Sequence, residues 1–249
     1  MIIKKDKENY WDSEDYFKIG GDIKHTVMHP ELIKIAGNLQ GKKALDFGCG
    51  DGILSVRLAN AGADVLGVDT SDAAIQRAKK LYTNRNLRFE HIVSFDDSLI
   101  AESSPFDVII LCMVLNTLSD SKSVINLLKI MSGFSAPGGQ LLIAVTHPLS
   151  RGSMFSTYCC GLKPEHYRIE SASFPVEIWD AYSPDRKTQF IDYHYSLSAT
   201  TAFINESGFL IKRMHEVYDN ADMENLHPDV RRRLNSNEPA FLIIDAMKA

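Results

Sequence analysis

The sequence predicts an α/β fold: a doubly wound, mostly parallel sheet with helices on both faces. Three observations carry that expectation. Short, continuously apolar runs recur along the chain, helical patterns separate them, and the first run ends in a glycine-rich turn. Strands buried on both faces read as unbroken apolar stretches, and parallel neighbours need a crossover helix between them. At 249 residues the chain suits one large domain, or one domain with a sizeable insertion.

Up to about Gly21 the chain is polar but dotted with aromatics (Tyr10, Trp11, Tyr16, Phe17), and residues 1–27 read as an arm that packs on something. His29-Pro30-Glu31-Leu32 opens a short helical pattern with Leu32, Ile35 and Leu39 at helical spacing. Ala44-Leu45-Asp46-Phe47 is a short apolar strand running into glycines, and residues 53–61 are the helix that follows. A second strand, Asp64-Val65-Leu66-Gly67-Val68, ends at Asp69; residues 71–81 give another helix with Ser71 as its N-cap. Further strands are predicted over 87–92, 106–111 and 140–145, with a helix over 121–131.

After His147-Pro148 the alternation stops, and residues 148–195 read as an aromatic-rich insertion over a core spanning 28–147. Residues 196–249 complete that core with a helix over 198–206, closed by Gly208, and two strands at 209–211 and 240–244. The connection between those strands carries Arg231-Arg232-Arg233, which reads as a solvated basic face.

A net charge of −5 and a pI near 5.9 disfavour nucleic acid as a partner. The charged start (Lys4, Lys5, Asp6, Lys7, Glu8) lacks the apolar run of a signal peptide, and no stretch reaches membrane-spanning length. The expectation is a cytoplasmic protein, monomer or homodimer, that does not engage a membrane. Cys49, Cys112, Cys159 and Cys160 form neither a disulfide framework nor a Cys-Xaa-Xaa-Cys metal pair, and they read as reduced thiols.

The chemistry is concentrated in Asp46-Phe47-Gly48-Cys49-Gly50-Asp51-Gly52. A strand ending in Gly-Xaa-Gly-Xaa-Gly before a helix presents bare backbone to a ligand, because glycine has no side chain to block approach and takes positive φ. On the next strand, Asp69 stands where a carboxylate accepts hydrogen bonds from the ribose hydroxyls of an adenosine. Asp46 and Asp51 would repel a pyrophosphate but attract the sulfonium and ammonium of S-adenosylmethionine, so the sign of the charge favours that cofactor over a dinucleotide.

These residues resemble the first two motifs of the class I S-adenosylmethionine-dependent methyltransferases, whose fold is a seven-stranded Rossmann-like sheet. Phe106-Asp107-Val108-Ile109-Ile110 with Val114-Leu115-Asn116-Thr117-Leu118 resembles their fourth motif, and Pro137-Gly138-Gly139-Gln140-Leu141 the turn before their fifth strand. The similarity covers residues from about 30 to 147 closely and the last fifty more loosely. There, Tyr193-His194-Tyr195-Ser196-Leu197 and Ser207-Gly208-Phe209 are similar to the small-molecule branch.

The resemblance implies that Asp46, Gly48, Cys49, Gly50 and Gly52 hold the methionine end of S-adenosylmethionine and that Asp69 binds the ribose, with Thr70 and Ser71 beside the adenosine. It puts Ser94, Phe95 and Asp96 at the adenine, and Leu111, Cys112 and Met113 beside the reacting methyl. The Asp/Asn-Pro-Pro-Tyr run of base methylases is replaced by Leu111-Cys112-Met113-Val114, and the acidic residue of the magnesium-dependent catechol enzymes is missing at that strand end, so no metal is expected. The Leu-His-His-Leu run of the small-molecule branch is replaced around Asn116-Thr117, so its histidine has no counterpart.

The reaction implied is in-line methyl transfer to oxygen or nitrogen of a small organic acceptor, releasing S-adenosylhomocysteine. His147, His194, Tyr16 and Asn116 are the candidates near that acceptor; His147 or His194 would serve as a base, or as a hydrogen-bonded structural histidine. The insertion's aromatics read as a lid. Cyclisation of the donor's aminobutyl chain, methylation of a tRNA wobble base and a catalytically silent binding protein on the same fold are the alternatives.

Overall fold

The computed structural model describes residues 19, 22–150, 152–183, 185–219, 227–233 and 237–249. Tyr16 and the neighbouring arm aromatics Tyr10, Trp11 and Phe17 lie outside the described residues.

A π-helical segment at Lys24–Met28 leads into α1 (His29–Ala36). The strands and helices β1 (Lys43–Phe47), α2 (Ile53–Asn60), β2 (Asp64–Asp69), α3 (Asp72–Leu81), β3 (Leu87–His91), α4 (Ser98–Ser103), β4 (Phe106–Cys112), α5 (Ser121–Phe134) and β5 (Ser135–Thr146) then alternate. The insertion forms three strands, β6 (Tyr158–Cys160), β7 (Ala172–Trp179) and β8 (Lys187–His194). α6 (Leu197–Glu206), β9 (Phe209–Tyr218), α7 (Pro228–Arg231) and β10 (Pro239–Lys248) close the chain. Among the described residues no helix is long and apolar enough to cross a membrane.

The main sheet has seven strands in the order β3-β2-β1-β4-β5-β10-β9. The pairings β1 with β2, β2 with β3, β1 with β4 and β4 with β5 are parallel, and β10 runs antiparallel to both β5 and β9. The order reverses between β1 and β4, which opens a crevice at their carboxyl ends, where doubly wound sheets bind ligands.

Period-two alternation splits the strands between two apolar layers. Ala44, Val65, Val108, Ile110, Leu142, Phe241 and Ile243 pack with Leu32 of α1 and Leu54 and Leu58 of α2. Leu45, Leu66, Val68, Ile109, Leu111, Ile143 and Ile244 pack with Val124, Leu127 and Met131 of α5 and Ile204 of α6. Helix starts are set by short polar caps. Ser71 Oγ accepts from Ala74 N–H at 3.1 Å, as its position before α3 predicts, and Asp120 Oδ1 accepts from Ser123 N–H at 2.8 Å ahead of α5.

The amino-acid sequence foretold the core elements but not their full extent: β5 already begins at Ser135 and β10 runs on to Lys248. β9 continues to Tyr218 beyond its first apolar residues because it is the sheet edge, where Lys212 and Arg213 face solvent and no apolar run is required. α4 is a short helix of six residues with Ile100 buried, opened by Asp97 Oδ1 accepting from Leu99 N–H at 3.1 Å. The insertion, in which no strands were foreseen, is a sheet in the order β6-β7-β8. Its inward residues Phe174, Val176 and Ile178 alternate with polar or exposed ones, a pattern weaker than a doubly buried strand.

Gly67 of β2 stands opposite Asp46 of β1. A Cβ there would lie 2.8 Å from Phe89 Cδ1 and 2.8 Å from Ser55 Oγ. The bare position lets α2 settle on the sheet. Gly67→Ala is expected to lower stability by about 1–3 kcal/mol through overpacking, read as a lower urea midpoint at unchanged slope.

Candidate active site

The turn after β1 is laced to the end of β2. Gly48 N–H and Cys49 N–H both donate to the Val68 carbonyl, at 2.8 and 3.0 Å. Asp69 then bridges two segments: its Oδ2 accepts from Gly50 N–H and its Oδ1 from Ser71 N–H, both at 2.8 Å. Gly48 and Gly52 are required where they stand. At φ 77° a Cβ on Gly48 would meet Val114 Cγ2 at 2.6 Å, and at φ 82° one on Gly52 would meet Phe89 Cζ at 2.5 Å. At Gly50, by contrast, nothing comes within 4 Å of an added Cβ, so open space lies over that part of the turn.

Asp46 is 1% exposed. Its Oδ2 accepts from Ser55 Oγ–H at 2.6 Å, and its Oδ1, also buried, has no partner among the described residues. Burial pushes its pKa up to about 7, and the charges of Asp69 and Asp51 add to that, while the Ser55 bond and Lys24 oppose it. The orphaned oxygen, the open glycine turn and the acidic surroundings fit a cationic group carried on an adenosine: Asp46 would face the cation, and Asp69, partly exposed at the end of β2, would face the ribose.

The other sequence-predicted cofactor residues divide by environment. Thr70 is half-buried and its carbonyl accepts from His91 Nε2–H at 3.2 Å. Ser71 is buried as the α3 cap. Cys49 packs against Ile75, Ala78 and Phe89, and burial raises its thiol pKa well above the usual range. Phe95 is buried edge-on against Phe47 with centroids 5.9 Å apart, Ser94 is half-buried, and Asp96 is exposed with its pKa lowered by a hydrogen bond from Ser94. At the end of β4, Leu111 points into the apolar layer under α5, so the side chain does not line the crevice. Cys112 packs on the opposite face, its thiol pushed up to about 12 by burial. Met113 adopts φ 59°, in the left-handed region, and its N–H donates to the Ala144 carbonyl at 2.8 Å.

Two cavities open near the carboxyl edge. Asn116, His147 and His194 come together in the first, with Leu115, Val145, Phe174 and Tyr195. Asn116 Oδ1 is buried without a partner among the described residues. His147, 2% exposed, accepts at Nδ1 from Leu149 N–H at 3.2 Å and places Nε2 3.5 Å from Glu216 Oε1. Burial outweighs Glu216 and lowers its pKa, so the ring is neutral near pH 7 with both nitrogens engaged. His194 Nε2–H donates to the Tyr167 carbonyl at 2.9 Å.

The second cavity holds residues that sequence reasoning missed. Asp22 and Lys24 from the segment before α1, Tyr158 of β6 and Asp192 of β8 line it with Met113, Ile178, Phe190 and Phe241. Asp192 was legible in principle. It sits two residues after Phe190 and two before His194, an acid in register with the inward face of a strand. Asp22 carried no such signal, because no periodicity precedes it.

Comparison with known proteins agrees with this geometry. A family model described as a methyltransferase domain matches residues 24–200, more than half of the chain. The ubiquinone biosynthesis O-methyltransferase of Pseudomonas fluorescens (strain Pf0-1) is 33% identical over 151 residues, covering 59% of this chain and 62% of that protein. Its namesake from Bordetella avium (strain 197N) is 27% identical over 148 residues, covering 59% and 60%. The chain thus spans less than two thirds of the length of these relatives. Among solved structures, the CcbJ methyltransferase from Streptomyces caelestis superposes with a TM-score of 0.68 at 16% identity, over 98% of this chain and 99% of that one. These likenesses establish the fold, and the matched family model spans both the glycine turn and the switch point: the chain belongs to the class I S-adenosylmethionine-dependent methyltransferases.

Proposed function

We propose that this protein transfers a methyl group from S-adenosylmethionine to an oxygen or nitrogen of a small organic acceptor, leaving S-adenosylhomocysteine. The observation that carries the reading is Asp46: a buried acid with one orphaned oxygen, beside an open glycine turn braced by Asp69 at the switch point. On this reading the donor's ammonium and sulfonium face Asp46 and the backbone from Gly48 to Gly52. Asp69 takes the ribose, Thr70 and Ser71 flank the adenosine, and Ser94, Phe95 and Asp96 border the adenine. Cys112 and Met113 bound the space beside the methyl. The relatives named O-methyltransferases support oxygen as the atom methylated.

When bound, the donor supplies a methyl already activated by its attachment to a cationic sulfur. What is left to the protein is alignment and dryness: a nucleophile held in line at near-contact distance in a site closed to water. The insertion sheet lends Phe174, Ile178, Phe190 and Asp192 to the two cavities, which supports its reading as a cover over the acceptor. His147 and His194 have ring nitrogens committed to protein partners, which supports a wall-forming role ahead of proton removal.

Incubation with methyl-labelled S-adenosylmethionine and small hydroxylated or amino acceptors is expected to release S-adenosylhomocysteine in step with labelled product. Methylthioadenosine in its place would replace methyl transfer with cyclisation of the aminobutyl chain. Asp69→Ala is expected to weaken S-adenosylhomocysteine binding by about 10- to 100-fold by calorimetry, the loss of one or two charge-assisted bonds, with the circular dichroism of the fold kept.

Asp46 links binding to pH. Its pKa in the ligand-free fold is raised from 3.8 to about 7, so its contribution to stability is full below pH 3.8 and is lost as pH rises through 7. A cation beside it favours the carboxylate and reverses that loss. S-adenosylmethionine affinity is therefore expected to rise between pH 6 and 8, with proton release on binding detected by calorimetry in buffers of different ionisation enthalpy. Asp46→Asn should abolish the release; release unchanged in that variant would remove Asp46 from the donor site.

A further inference from the structure

We infer that the second cavity is the acceptor site and that Asp192 receives the acceptor's nucleophilic O–H or N–H group, on a flat molecule that is neutral or cationic. The inference rests on the methyl-transfer reading above.

Position comes first. Met113, which borders the cavity, directly follows β4 at the switch point and holds a left-handed backbone conformation, φ 59°, that non-glycine residues rarely adopt. Phe241 on the opposite wall pairs in register with Thr146, the last residue of β5. Asp46, bonded to Ser55 of α2, lies on the sheet face whose apolar layer contains Leu54 and Leu58 of α2 with Tyr158, Ile178 and Phe241, and Cys112, Met113 and Phe190 pack on that same layer. The cavity therefore adjoins the side of the crevice on which Asp46 stands.

Chemistry comes second. Asp192 is 1% exposed and its Oδ2 has no hydrogen-bond partner among the described residues. Burial raises its pKa well above the carboxylate range. Burying such an oxygen without a hydrogen bond is costly, and a ligand N–H or O–H would remove that cost. Asp22 faces the same space at 5% exposure, its Oδ1 accepting from Lys24 N–H at 2.9 Å. In the ionised form that takes a proton, Asp192 together with Asp22 outnumbers Lys24, and that form disfavours a carboxylate or phosphate on the ligand. The rings of Tyr158, Phe190 and Phe241 offer flat apolar walls suited to an aromatic body and to cation–π contact with an amine. Tyr158 is itself held by a 2.5 Å hydrogen bond between its hydroxyl and that of Thr146.

The first cavity is the weaker candidate. It too has an orphaned oxygen, on Asn116, but it holds no carboxylate and does not reach Met113.

In the step itself, the acceptor's oxygen or nitrogen forms its bond to the methyl carbon as the carbon–sulfur bond breaks, and that bond's electron pair stays on sulfur. The proton of the nucleophile passes to the Asp192 carboxylate and leaves later to solvent. A carboxyl of raised proton affinity suits this task better than an ordinary one, because proton transfer is most effective when the two pKa values approach each other.

The test combines calorimetry with S-adenosylhomocysteine and turnover of three probe sets: neutral phenols, aromatic amines and aromatic carboxylates. Phenols or amines are expected to be methylated and carboxylates not. Asp192→Asn should lower kcat/KM by about 100-fold and remove the limb that rises with pH, while S-adenosylhomocysteine affinity stays within about threefold. Phe190→Trp, which grows into the cavity from a half-buried position, should raise KM for the acceptor by about tenfold at unchanged S-adenosylhomocysteine affinity, and it keeps the test open if the Asn variant does not fold. Three results overturn the assignment: preferred methylation of carboxylates, an unaltered pH profile in Asp192→Asn, or no turnover of any phenol or amine by protein that binds S-adenosylhomocysteine. Absence of that binding in the unmutated protein would instead overturn the donor reading.

Discussion

The site depends on one carboxylate. By accepting from Gly50 N–H with one oxygen and from Ser71 N–H with the other, Asp69 joins the loop after β1 to the cap of α3. Each bond is charge-assisted, and together they hold a turn whose glycines would otherwise have wide freedom. The turn's shape in turn decides where α2 begins, and α2 supplies Ser55, the partner of Asp46. The acid proposed to bind the ribose thus also braces the turn beside it.

Around that brace the molecule concentrates buried acid. Asp22, Asp46, Asp192 and Asp219 are all at least nine-tenths buried, and Lys24 is the cation whose charge reaches both Asp22 and Asp46. Burial on this scale is costly unless the charge is neutralised or matched. Asp46 and Asp192 each keep an oxygen without a hydrogen-bond partner among the described residues, and each borders the crevice or a cavity reaching it. A cationic donor at the first and the proposed proton-bearing acceptor at the second would satisfy both.

The parts legible from sequence were those where local chemistry and period coincide. Ala44 to Gly52 encodes strand, turn and helix start in nine residues, and Ser71 announces the start of α3 by its side chain alone. Legibility failed where a side chain acquires meaning from a distant partner. Leu111 adjoins Cys112 and Met113 in the chain, yet strand alternation sends it into the layer beneath α5. His147 and His194 are chemically versatile residue types, but Leu149, Glu216 and Tyr167 decide what their ring nitrogens do. Tyr16 lies outside the described residues.

By itself the amino-acid sequence determined the doubly wound core and the family, because both rest on short-range information: apolar period, glycine conformation, and an acid at the end of each of the first two strands. Only the tertiary structure decided which side chains gather around the cavity proposed for the acceptor. Asp22, Lys24, Tyr158 and Asp192 come from separate segments, and nothing in their spacing anticipates that they meet at Met113. It likewise decided that Asp69, at the end of β2, has a structural part in bracing the turn after β1. The physical reason is common to both: a hydrogen bond or an orphaned oxygen is a property of two groups in space, and folding creates the pairing that sequence separation hides.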